Sequence, residues 1–93
     1  MKKVNRLFKS EEKMSREELA NFLHLFADKI AEGSVQLIKG DQEVSLDLPG
    51  KLIFEVEAQS KEKSANAVKN KIELEIEWYE GDSAAMEGKL EIS

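Results

Sequence analysis

A chain of 93 residues with no cysteine and a formal net charge of −5 has the length of one small domain, held together by packing alone, without disulfide, zinc knuckle or thiol nucleophile. The acidic balance makes phosphate backbones and anionic membrane surfaces poor partners, because both bind through clustered Lys and Arg. The opening Met1-Lys2-Lys3-Val4-Asn5-Arg6 has the charge of a secretory leader but no uninterrupted apolar run behind it, and nothing reaches membrane-spanning length, so a cytoplasmic protein is expected.

In chain order, a weak strand is expected over residues 3–9, with Val4, Leu7 and Phe8 as its apolar content. Ser15-Arg16-Glu17-Glu18 then reads as a capping box, and Leu19, Phe22, Leu23, Phe26, Ala27 and Ile30 recur at the spacing of one helix face. Gly33 stops this helix, expected at about 15–32, as a left-handed C-terminal cap. Past it the period changes to two. Ser34 to Lys39 and Gln42 to Leu48 flank Gly40-Asp41, a two-residue hairpin loop whose glycine supplies positive φ. Such a loop sets Leu37 against Val44 and Val35 against Leu46, so the apolar residues share a face.

At Pro49-Gly50 a tight turn would place Leu46 and Leu48 on the wrong face of the following strand. A longer or bulged join is expected there, letting Leu46 share a face with Phe54. Lys51 to Gln59 alternates Leu52, Phe54, Val56 and Ala58 against Lys51, Ile53, Glu55 and Glu57, and Lys71 to Tyr79 alternates Ile72, Leu74, Ile76 and Trp78 against Lys71, Glu73, Glu75 and Glu77. Each strand has one dry and one wet face. Ser60 to Asn66 is a polar connection, read as a loop or a frayed hairpin end. If the two strands pair, the expected register sets Leu52, Phe54 and Val56 opposite Ile76, Leu74 and Ile72, with Glu55 against Glu73; the alternative puts Glu55 beside Lys71 and an asparagine on the dry face. The last residues, 81–93, read as either a flexible tail or an extra short strand around Lys89-Leu90-Glu91-Ile92. The expected fold is α+β, one amphipathic helix on an antiparallel sheet of about five strands in the order β-α-β-β-β-β, as a single domain over residues 1–93.

The strand Lys71-Ile72-Glu73-Leu74-Glu75-Ile76-Glu77-Trp78, together with Phe8 to Glu18 and its helix, resembles the amphi-Trp domain family, small prokaryotic proteins named for an amphipathic strand ending in tryptophan. The resemblance covers roughly residues 4–79 and supports the fold. It implies no activity, ligand or catalytic residue.

No set of residues forms a catalytic constellation, so no enzyme and no cofactor are expected. His24 is the only histidine and lies opposite the apolar stripe, without the partners of a triad or a metal site. Glu73, Glu75 and Glu77 point one way but follow strand spacing of about 6 to 7 Å, too regular to wrap one ion. Trp78 shares parity with Ile72, Leu74 and Ile76, which makes it a cap on the core beneath the helix, mostly buried. Tyr79 takes the opposite parity, and Leu25 and Ile53 also lie off the buried faces. Trp78, Tyr79, Ile53, Leu25 and the three glutamates are therefore the candidate interaction surface. The expected function is a non-catalytic interaction or self-association module with an open acidic sheet face, pairing with itself as a homodimer or with another protein. The alternative is a small-ligand or divalent-cation binding domain using the glutamate rows.

Overall fold

The computed structural model describes residues 3–80. Their class is α+β: one helix and four strands, in two separate two-stranded antiparallel sheets. The chain divides into two compact units, Met1–Gly50 and Lys51–Ser93.

In the first unit, helix α1 spans Arg16–Glu32. Its start is the predicted capping box. The Glu18 amide donates to Ser15 Oγ at 3.0 Å, and the Ser15 amide donates to Glu18 Oε1 at 3.1 Å. Gly33 ends it with φ at 90°, and its N–H is shared between the carbonyls of Lys29 and Ile30, a three-centre arrangement that satisfies the last turn. Ser15→Ala should cost about 1 kcal/mol, read from chemical denaturation. The Ser15 amide, and after it the Ser15 side chain, hold the Glu18 carboxyl below its usual range. A depressed carboxylate pKa contributes stability that is fully present above the unfolded value, about 4.3, and is lost as pH falls through the folded one. Helicity should therefore weaken in acid, and Glu18→Gln should flatten that part of the pH profile.

Strands β1, Ser34–Lys39, and β2, Gln42–Asp47, form the expected hairpin, with Leu37 opposite Val44 and Val35 opposite Leu46. Gly40 has φ at 60° while no non-glycine residue has positive φ among the described residues, the combination of a type II′ turn. Helix α1 packs on β1, and Val35, 5% exposed, is the buried residue among those described. Phe26 and Ile30 on α1 and Leu37, Val44 and Leu46 on the hairpin are half-buried. Toward the start of the helix, Phe22 stacks at a tilt on Phe26, with centroids 6.1 Å apart.

The expected first strand is not formed: residues 3–15 run without ladder pairing, and Val4 is 93% exposed. Lys9 shows why. Its N–H donates to Gln42 Oε1 at 3.1 Å and its carbonyl accepts from Gln42 Nε2 at 3.0 Å. One side-chain amide thus satisfies both backbone groups that a neighbouring strand would have taken. The expected longer or bulged join that lines up Leu46 with Phe54 is also absent. The β1–β2 ladder runs to Ser34 and Asp47 and gains one more rung in the same register, the Leu48 N–H donating to the Gly33 carbonyl at 2.9 Å, while Phe54 pairs with Ile76. Pro49, which has no N–H to give a ladder, follows Leu48.

In the second unit, β3, Ile53–Ser64, and β4, Ala67–Glu77, make a ribbon of 12 and 11 residues, so the polar stretch Ser60 to Asn66 is mostly strand. The register sets Phe54 opposite Ile76, Val56 opposite Leu74 and Ala58 opposite Ile72, with Glu55 facing Glu75 and Glu57 facing Glu73. This is two residues from the expected pairing and keeps the same faces together. The turn explains it. Ser64 pairs with Ala67 around a two-residue loop, and any two-residue loop closes a ladder with odd index sums, which here would set dry residues against wet ones. The irregularity between Glu62 and Ser64 leaves Lys63 as an extra residue and restores even sums, so Phe54 meets Ile76. The possible short strand within 81–93 lies outside the described residues.

Candidate functional site

The first unit contains a groove of about 850 Å³ between residues 8–14, the first half of α1 and β1. Phe8, Met14, Leu19 and Phe22 supply apolar lining, and β1 contributes Gln36 through Lys39 in succession. Successive strand residues point to opposite faces. A groove touched by four of them in a row runs along the strand's edge. Among the described residues that edge is unpaired, since β1 pairs with β2 alone.

The hairpin geometry fixes which backbone groups it offers. Lys39 and Gln42 flank the two-residue turn and form the hydrogen-bonded closing pair, so Lys39, Leu37 and Val35 direct their amides and carbonyls at β2. Gln36 and Ile38 direct theirs outward, into the groove side. At its mouth, Lys39 Nζ donates to Ser10 Oγ at 3.0 Å and lies 3.5 Å from Glu12 Oε1. The pair is exposed and adds little stability, but it pins residues 10–12 as the groove's outer wall.

The residues singled out from sequence are placed elsewhere. Leu25 is exposed on α1, and Ile53 and Tyr79 are exposed on or near the β3–β4 ribbon. Trp78, one residue past β4, is half-buried rather than deep in a core. The glutamates separate into two groups. Glu73 Oε1 lies 2.8 Å from Lys71 Nζ, and that hydrogen bond, with the attending charge, raises the Lys71 pKa. Glu75 and Glu77 converge instead with Glu55 across the ladder, offering carboxylate oxygens within 4.8 Å of one another. Strand spacing along β4 alone does not produce this; the cross-strand partner does. All three side chains are exposed. Sequence reasoning missed the groove, although one signal was present: Ile38 breaks the alternation of β1 and stands 63% exposed.

The alternating strand that closes on Trp78 and the capped helix now stand together on one chain, and the Amphi-Trp domain model matches residues 1–93. The chain belongs to the Amphi-Trp domain family. The Amphi-Trp match extends beyond residues 4–79, over which the sequence resemblance was drawn, to both ends of the chain. No curated protein and no solved structure matches significantly. No helix among the described residues of this Amphi-Trp domain is long and apolar enough to cross a membrane.

Proposed function

We propose that this protein is a non-catalytic interaction module that takes an extended polypeptide segment along the free edge of β1. The observation that carries the reading is the coincidence of that edge with the groove: outward backbone groups at Gln36 and Ile38 lie beside apolar lining from Phe8, Met14, Leu19 and Phe22. Strand addition uses this combination, with main-chain hydrogen bonds for affinity and pockets for alternate side chains for specificity. A cytoplasmic setting is part of the same proposal; recovery of the chain with membranes on cell fractionation would remove it.

Ile38→Pro tests the edge directly. It deletes an outward N–H while sparing the β2 ladder, and proline is tolerated on edge strands. Peptides selected by display against the full chain should lose roughly two- to tenfold in affinity on this variant, the effect of one charge-free hydrogen bond, and should fail on Phe22→Glu. Selected peptides that bind both variants as they bind the parent would refute the reading.

A second reading is favoured by the convergence of Glu55, Glu75 and Glu77. Like charges placed directly opposite destabilise a ladder, and a divalent cation, which prefers oxygen ligands, would relieve them. Calorimetric titration with calcium and magnesium checks this, and flat traces dismiss it.

A further inference from the structure

The β3–β4 ribbon poses a problem that its own residues do not solve. Every residue of β3 is exposed, and so is nearly all of β4, with Ile72 at 74%. A two-stranded ribbon by itself is marginal in water and needs further strands or a helix. Its cross-strand charges compound the difficulty: Glu55 faces Glu75, Glu57 faces Glu73 and Lys61 faces Lys69.

The same charges make sense when β4 meets a second β4. The strand reads Ala67-Val68-Lys69-Asn70-Lys71-Ile72-Glu73-Leu74-Glu75-Ile76-Glu77, with lysines before Ile72 and glutamates after it. We propose that two copies of this chain pair edge to edge through β4, antiparallel about a two-fold axis at Ile72. In that register the whole strand is matched. Lys69 faces Glu75 and Lys71 faces Glu73, twice each by symmetry, on the wet side. On the dry side, Val68 faces Ile76, Ile72 faces its own copy, and Asn70 faces Leu74. Sliding by two residues in either direction puts Lys71 against Lys71 or Glu73 against Glu73 at the axis, so the charges select one register. The interface is isologous, the commonest kind in homodimers, and among the described residues β4 pairs with β3 alone, which leaves its other edge to give. The product is a four-stranded sheet, β3-β4-β4-β3. Its outer strands carry the Lys63 irregularity, a device that discourages further addition. This surface is distinct from the β1 groove, and neither proposal depends on the other.

Charge reversal tests it in the full chain. One variant, Lys69→Glu with Lys71→Glu, makes β4 all acidic; the other, Glu73→Lys with Glu75→Lys, makes it all basic. Each variant gives up the Lys71–Glu73 ion pair but gains cross-strand contacts inside the ribbon, the new carboxylate at 69 facing Lys61 or the new ammonium groups at 73 and 75 facing Glu57 and Glu55. Circular dichroism separates loss of association from loss of folding. By sedimentation, the parent should be a dimer that weakens with salt, each variant alone should dimerise roughly 100-fold less tightly or more, and an equimolar mixture should restore the dimer. A monomeric parent, variants that dimerise unaided, or a mixture that stays monomeric would each overturn the proposal. A second test needs no charge change. The chain has no cysteine, and directly opposed residues of antiparallel strands have Cα atoms about 4.5 to 5.5 Å apart, within disulfide reach. Ile72→Cys should oxidise to a covalent dimer while Ser60→Cys, on β3, stays single; equal cross-linking at both positions counts against the β4 interface.

Discussion

Val35→Asp is expected to abolish cooperative unfolding of the helix–hairpin unit, and Val35→Ala to weaken it by about 2 kcal/mol. Val35 is the buried residue of that unit, 5% exposed, on the strand against which α1 packs. Removing its two methyl groups costs about 0.8 kcal/mol each in transfer, with a further contribution from the space left behind. A carboxylate there is held on the face that α1 covers, opposite Leu46 across the ladder. An uncompensated buried charge costs about 3 to 5 kcal/mol, against a total stability of about 5 to 15 for a small domain. Urea denaturation followed by helical dichroism reads both variants. If Val35→Asp unfolds at the same urea concentration as the parent, the helix is not anchored on this strand.

The parts of this fold that were legible in the sequence are those fixed by neighbours close along the chain. The capping box needs residues three apart, the αL cap needs one glycine, and the β1–β2 register follows from a two-residue turn beside an alternating pattern. All three appear as expected. The β3–β4 register was not legible, because parity permits several even pairings and the choice among them was made by the Ala65-Asn66 turn and the extra residue at Lys63. The expected first strand failed for a different reason. The apolar content of residues 3–9, Val4, Leu7 and Phe8, says nothing about whether a partner strand is in reach, and the Gln42 side chain took the groups at Lys9.

The candidate sites divide along the same line. Glu75 and Glu77 could be named from β4, but their convergence with Glu55 depends on a register that the sequence left open. The groove depends on residues 8–14, α1 and β1 approaching one another, and only Ile38, an apolar residue on the wrong parity, hinted at it. The antisymmetric charges of β4 were in plain view as a wet face. They acquire meaning only once the ribbon is seen to set like charges against each other.

Trp78→Ala is expected to destabilise the β3–β4 ribbon by about 2 kcal/mol and to loosen its open end. Trp78 follows the last ladder pair, Ile53 with Glu77, and the same register continued by one step sets it opposite Leu52. Both residues are half-buried while most of the ribbon is exposed, and the expectation is that the tryptophan and the leucine shelter each other at the end of the dry face. Full burial of an indole would make its removal cost about 3 to 5 kcal/mol; partial burial lowers that. Leu52→Ala should weaken the ribbon too, and the double variant should cost less than the sum, because residues in contact are coupled. Tryptophan emission gives the parallel reading, with Leu52→Ala shifting it to the red in the folded chain. If Leu52→Ala leaves the emission unchanged and the two losses simply add, Trp78 is packed against something other than Leu52.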